Sequence, residues 1–169
     1  MLALFFTTSR RTFLWIALVV AGLLAFGSYL QYVVGLEPCP MCIVQRYVFF
    51  AVLFVALLGA ASKGCRWQGV FWVLLLVCAV AGAYVAARQS WLQWYPPPFY
   101  SCGRDFYGMI EQMPLSQALP RIFAGSGDCT QIDWTFLGGT IANWAFVAFS
   151  AVAVTALGWL LALRKRCAA

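Results

Sequence analysis

Four long apolar runs constrain the fold of this chain more than any other feature. Each has close to the roughly 20 residues that a helix needs to cross a bilayer core of about 30 Å. Because backbone polar groups in lipid must be hydrogen-bonded within their own segment, each run is predicted to be a helix. The predicted spans cover approximately residues 12–34, 43–61, 69–87 and 141–163.

The composition supports a membrane protein. Of the 169 residues, 64% are hydrophobic and only 9% are charged, so a soluble domain would expose large apolar patches. Arg10 and Arg11 precede the first run, as in a secretory signal peptide. Its length, the lack of a small-residue cleavage site and the spans that follow favour a retained helix. We therefore predict one membrane domain over residues 1–169, an all-α membrane protein built as a four-transmembrane-helix bundle.

The basic residues predict how the chain is oriented. If it crosses the membrane four times, seven of its eleven Lys and Arg residues fall on one side and all five acidic residues on the other. Basic residues are enriched on the cytoplasmic side. Both termini are therefore predicted to be cytoplasmic, with loops 35–42 and 88–140 outside. The net charge of +6 is attributed to this topology and not to nucleic-acid binding.

The seven cysteines divide between the two sides of the membrane. Four are predicted to lie outside, where disulfides persist: Cys39, Cys42, Cys102 and Cys129. The other three are interpreted as reduced and incidental to function: Cys65, Cys78 and Cys167. A zinc site is disfavoured because two of the outer cysteines are far apart in sequence and the chain has no histidine. No metal is predicted.

Cys39 and Cys42 have the C-x-x-C spacing of redox-active pairs. A disulfide that closes so short a loop adds little stability, which argues against a purely structural role. Pro38 and Pro40 cannot continue a helix backwards, so the second span is predicted to begin near Met41, with Cys42 in its first turn. The free N–H groups and positive dipole end of a helix favour the thiolate, which is the nucleophilic form of cysteine.

Arg46 follows Cys42 by one helical turn and lies on the same face. The uncharged residues 47–61 make about 22 Å of helix, which is shorter than the apolar core of a bilayer. An ionisable residue at that depth is a functional candidate, although extension of Arg46 to the lipid headgroups stays open. No flavin or haem motif is present, so a lipid-soluble quinone, ubiquinone or menaquinone, is the predicted electron acceptor. Arg46 would donate hydrogen bonds to a quinone oxygen.

Three motifs resemble the DsbB family, bacterial inner-membrane proteins that reoxidise the periplasmic oxidant DsbA and pass electrons to quinone. They are "PCPMCIVQR" at 38–46, "QWYPPPF" at 93–99, and "SGDC" at 126–129 followed by "WTFLG" at 134–138. They occur in the family's order and cover essentially the whole chain. The resemblance implies four spans in the bacterial inner membrane and two periplasmic loops that carry the active site.

The resemblance also implies a role for each outer cysteine. A reduced DsbA-like protein would attack Cys102, whose disulfide mate would be Cys129. Exchange between the two loops would then transfer the bond to Cys39. Cys42 would be freed as the thiolate in contact with the quinone, with Arg46 beside it.

Two glutamines in or near the matching region are expected to lie near the quinone. Gln93 lies in the "LQWYP" stretch and would border the quinone. Some family members carry a histidine just upstream, at about the position of Gln89, and this chain has none. If that side chain only donates a hydrogen bond, glutamine can take its place. If it must carry a proton, either another group does so here or the rate is altered.

Other classes of membrane protein share some of these features. A vitamin K epoxide reductase-like quinone reductase also has two cysteine pairs, but its C-x-x-C follows the loop pair, whereas here it precedes it. A structural four-span protein resembling tetraspanins would have a disulfide-braced outer loop, but no Cys-Cys-Gly occurs in loop 88–140. A transmembrane thiol conduit would need a pair of cysteines within the membrane, and Cys78 is alone there.

Overall fold

A computed structural model describes residues 8–96 and 134–167, with positions 117, 130 and 132 between them. For residues 164–167 it describes the backbone alone. Cys102 and Cys129 lie outside the described residues, so the roles predicted for them stay predictions.

Within the described residues, four helices make up the bundle, and each is long and apolar enough to cross a membrane, as predicted. They are α1 Ser9–Tyr32, α2 Pro40–Ala61, α3 Cys65–Trp94 and α4 Ile141–Cys167. The main difference from the predicted spans is at the end of α3, which continues past residue 87 to Trp94. Residues 88–94 contain no proline or glycine, so nothing in the sequence stops the helix before Pro96. Gln89 and Gln93 are therefore helical.

The helices pack in chain order, with α1 on α2, α2 on α3 and α3 on α4. The indole N–H of Trp159 in α4 donates to Thr12 Oγ1 in α1 at 3.2 Å, which joins the last helix to the first. Stacked aromatic rings fill the core: Phe13 lies on Trp72 with 4.0 Å between ring centroids, and Phe49 lies on Phe149 at the same distance.

Two glycines allow these rings to approach the neighbouring helices. A Cβ at Gly59 would lie 2.6 Å from the ring of Phe13, and a Cβ at Gly82 would lie 2.5 Å from the ring of Phe149. Both distances are too short for real contacts, so only glycine fits at these positions without displacing an aromatic ring. Small residues at helix interfaces serve the same purpose in membrane bundles generally.

A short antiparallel hairpin precedes α4. Its strands are β1 Thr135–Phe136 and β2 Gly139–Thr140, with Phe136 opposite Gly139. Leu137 and Gly138, between the strands, both have positive φ, as a tight type I′ turn requires. The indole N–H of Trp144 in α4 donates to the carbonyl of Phe136 at 3.0 Å and holds the hairpin against the helix.

Cys65 corrects one expectation from the sequence. It was interpreted as a reduced, incidental thiol, but it is disulfide-bonded in the structure. Cys78, by contrast, is a free thiol. The sequence argument rested on the compartment in which disulfides persist, and compartment does not reveal which cysteines the fold brings within bonding distance.

Candidate active site

The C-x-x-C pair forms the start of α2. Cys39 is the N-cap residue, with extended backbone angles, and Pro40 occupies the first helical position. Proline is well suited there because it has no N–H to satisfy and its fixed φ already matches the helix. Cys42 is thus in the first turn, as predicted. Its backbone N–H donates to Cys39 Sγ at 3.3 Å, so a sulfur performs the capping role that an oxygen usually has.

The two sulfurs lie close together and are largely shielded. Cys39 Sγ and Cys42 Sγ are 2.7 Å apart and are not joined by a disulfide in the structure. Cys39 is buried and Cys42 is half-buried. Between them, Met41 is fully buried in a small apolar cluster with Val85 and Leu92 of α3. The pair can therefore form or break a disulfide with little movement of the helix start.

Two buried glutamines approach the sulfurs from the helices. The side-chain amide of Gln89 in α3 donates to Cys39 Sγ at 3.3 Å and to Cys42 Sγ at 3.1 Å. The amide of Gln45 in α2 donates to Gln89 Oε1 at 2.6 Å. Gln45 is 4% exposed and Gln89 is 3% exposed, so water contributes little to satisfying either amide.

Arg46 is held against α1. Its guanidinium donates to the carbonyl oxygen of Gly27 at 3.2 Å and to Oε1 of Gln31. Arg46 is half-buried, and these contacts keep its charge beside the cavity described next.

One cavity of about 870 Å³ connects these groups. Its walls are mostly aliphatic and aromatic side chains from α1, α2, α4 and the hairpin. The polar and ionisable groups on its wall include both cysteines of the C-x-x-C motif, together with Glu37, Arg46, Gln89 and Gln93. A large apolar space with few polar groups is typical of a site for a small hydrophobic ligand.

The hairpin covers part of this cavity. Trp134, just before β1, meets Phe26 of α1 edge to face, with 5.6 Å between ring centroids. Thr140 Oγ1 in β2 donates to Gln93 Oε1 in α3 at 2.8 Å. The hairpin is thus attached both to the first helix and to the third.

Comparison with known proteins identifies the family. The family model for disulfide bond formation protein DsbB matches residues 9–159. The chain belongs to the DsbB family. Disulfide bond formation protein B of Albidiferax ferrireducens is 61% identical over 150 residues, covering 88% of this chain and 85% of that protein. The same-named protein of Aromatoleum aromaticum is 49% identical over 160 residues, covering 94% of this chain and 95% of that protein.

Membership of the DsbB family and the four long apolar helices make this chain a multi-pass membrane protein and a disulfide-forming oxidoreductase. Among the described residues no cluster of three or more His, Cys, Asp or Glu side chains could hold a metal ion.

Sequence reasoning singled out most of the groups at this site but missed one. The sequence predicts four of these site residues, and the structure places all of them on the wall of one cavity: Cys39, Cys42, Arg46 and Gln93. Gln45 was missed. Its signal is present in the sequence, because an amide one turn after Cys42 within an apolar span needs a buried hydrogen-bonding partner.

Proposed function

We propose that this chain is a quinone-dependent thiol oxidase that reoxidises a DsbA-like thioredoxin-fold protein and so sustains disulfide formation in exported proteins. The observation that carries this proposal is the shared cavity, whose wall includes both sulfurs of the C-x-x-C pair and the guanidinium of Arg46. A redox-active pair and a fixed cation thereby border a space in which an apolar electron acceptor can be accommodated.

The residues present fit a membrane quinone, either ubiquinone or menaquinone. The cavity volume of about 870 Å³ lies within the usual range for small-molecule sites, roughly 300–1,000 Å³. Arg46 would hold a carbonyl oxygen of the ring, and Gln93 would border it. When bound, a quinone supplies a two-electron, two-proton acceptor for the oxidation of a dithiol.

The chain's own residues would prepare Cys42 for this reaction. The backbone N–H of Cys42 is directed at Cys39 Sγ, and the amide of Gln89 is directed at both sulfurs; such donors favour a thiolate over a thiol. Arg46, fixed by α1, would orient the acceptor beside Cys42. The hairpin, fixed to α1 and α3, would limit the access of water.

Each exchange in the proposed route breaks one disulfide and forms another. A thiolate of the reduced partner attacks Cys102, and the Cys102–Cys129 bond breaks to release Cys129. Cys129 attacks Cys39, and the Cys39–Cys42 bond breaks to release Cys42 as a thiolate. Resolution of the mixed disulfides would leave the partner oxidised and Cys39 and Cys42 reduced, and a bound quinone would supply the acceptor for their two electrons and two protons.

The proposed location is the bacterial inner membrane, with the active site on the periplasmic side and both termini in the cytoplasm. The distribution of basic residues supports this orientation. It would place the C-x-x-C pair in the oxidising compartment, where exported proteins acquire disulfides.

The test uses the purified full chain in detergent, a reduced thioredoxin-fold dithiol protein and a soluble ubiquinone. Loss of the absorbance of oxidised quinone is expected with the natural sequence and not with Cys42→Ser, because the variant lacks the sulfur proposed to face the quinone. If ubiquinone stays oxidised, menaquinone is tried next. Failure with both quinones, while the cysteines are intact, would contradict the proposal and favour a structural four-span protein.

A further inference from the structure

We propose that Gln45 and Gln89 form an amide relay, in which Gln45 fixes the orientation of Gln89 so that Gln89 stabilises the thiolate of Cys42. Gln89 contacts the reacting sulfurs and would be catalytic, whereas Gln45 acts through Gln89 and would be a positioning residue. The inference rests on the proposed function only in taking Cys42 as the working thiolate.

The hydrogen bonds of the relay run in one direction. Gln45 Nε2 donates to Gln89 Oε1 at 2.6 Å. Because that oxygen is engaged, the NH₂ group of Gln89 is the end that faces the sulfurs, at 3.1 Å from Cys42 and 3.3 Å from Cys39. If Gln89 turned over, its oxygen would face the sulfurs and two NH₂ groups would oppose each other. With its NH₂ group directed at Gln89, Gln45 thus disfavours the orientation that would repel a thiolate.

Burial increases the effect of this arrangement. Gln45 and Gln89 are 4% and 3% exposed, so their amide dipoles are little screened by water. A hydrogen bond to a charged acceptor is stronger than one to a neutral acceptor, so donation from Gln89 favours the thiolate over the thiol. The relay itself transfers no proton: Cys42 loses its proton to solvent, and both glutamines keep all their amide hydrogens.

Two charged groups line the same cavity wall as Cys42. Arg46, on the same helix, would favour the thiolate, and Glu37, just before α2, would oppose it. Both are retained in every variant below, so a change in reactivity reports on the amides.

The test measures the alkylation of Cys42 in the fully reduced chain without quinone or partner. Iodoacetamide is applied for short times across a range of pH, and tandem mass spectrometry quantifies modification at Cys42. Gln89→Glu keeps the shape of the side chain but replaces the donor by a carboxylate, so alkylation at neutral pH should slow about tenfold or more. The pH at which half of Cys42 reacts should rise.

Gln45→Glu removes the donor to Gln89 Oε1 and offers an acceptor instead. Gln89 should then turn its NH₂ group away from the sulfurs, and alkylation of Cys42 should slow about tenfold. Gln45→Leu and Gln89→Leu, singly and together, provide a check that does not depend on an introduced charge. If Gln45 acts through Gln89, the double variant should react no more slowly than Gln89→Leu alone.

Ser90→Ala is the matched control. Ser90 is buried next to Gln89, and its hydroxyl has no hydrogen-bonding partner among the described residues, so its removal should leave alkylation unchanged. Unchanged alkylation in Gln45→Leu, or equal and additive slowing from the two leucine variants, would overturn the relay. Since no quinone is present, the relay can hold even if the quinone assay fails, and it can fail while quinone reduction persists.

Discussion

The two ends of this bundle both bury polar side chains, but they use them differently. The thiol end comprises Cys39, Cys42, Gln45 and Gln89. The indole end comprises Ser9, Thr12, Trp72 and Trp159.

At the indole end, each polar group is satisfied by another structural group. The indole N–H of Trp72 donates to Ser9 Oγ at 3.0 Å, and that of Trp159 donates to Thr12 Oγ1 at 3.2 Å. The rings of Trp72 and Trp159 stack with 5.9 Å between their centroids. At the thiol end, Gln45 donates to Gln89, and Gln89 donates to two sulfurs on the wall of the cavity. A buried polar network therefore indicates chemistry only when it ends on a reactive atom.

This comparison predicts that changes in the packed core reduce stability while changes beside the cavity reduce activity. The largest expected effect is on stability. Gly82→Ala places a Cβ 2.5 Å from the ring of Phe149, which is itself stacked on Phe49 and cannot move away freely. We expect a loss of about 3 kcal/mol in the free energy of unfolding.

Thermal unfolding in detergent, followed by tryptophan fluorescence, measures this loss. Gly22→Ala is the control, because a Cβ there would meet no atom within 4 Å. Equal unfolding temperatures for the two variants would show that the contact between Gly82 and Phe149 does not limit packing.

Arg46→Gln should leave stability nearly unchanged and raise the apparent KM for quinone about tenfold. The variant would lose the charged hydrogen bond proposed between Arg46 and the quinone, while a polar side chain would remain beside Gly27. Arg66→Gln is the control, because it also removes one positive charge but Arg66 is exposed and does not line the cavity beside Cys42. An unchanged KM in Arg46→Gln would favour a role for Arg46 in anchoring the helix to lipid headgroups.

The smallest expected effect belongs to Ser9→Ala. It leaves the indole N–H of fully buried Trp72 without its acceptor, which should cost about 1 kcal/mol of stability without changing kcat. Thr155→Ala provides the comparison, because the hydroxyl of Thr155 donates to the carbonyl of Ala151 in its own helix. A fall in kcat for Ser9→Ala would mean that the two ends of the bundle are coupled.

The sequence predicted the parts of this molecule that depend on local pattern. Apolar runs of bilayer length gave the four helices, and two prolines beside the C-x-x-C motif placed Cys42 in a first helical turn. The relay could not be predicted in the same way, because Gln45 and Gln89 are 44 positions apart and meet only when α2 packs on α3. The hairpin was missed because its strands have only two residues each, which is too short for an alternating pattern.

The length of α3 has a consequence for how the protein can change over evolution. Gln89 and Gln93 lie on the last turns of a continuous 30-residue helix, and the hairpin that meets Gln93 leads directly into α4. The geometry around Cys39 and Cys42 is therefore set by helices on both sides of the segment that follows Pro96. Changes in the length of that segment that spare Cys102 and Cys129 should therefore leave the geometry around Cys39 and Cys42 intact.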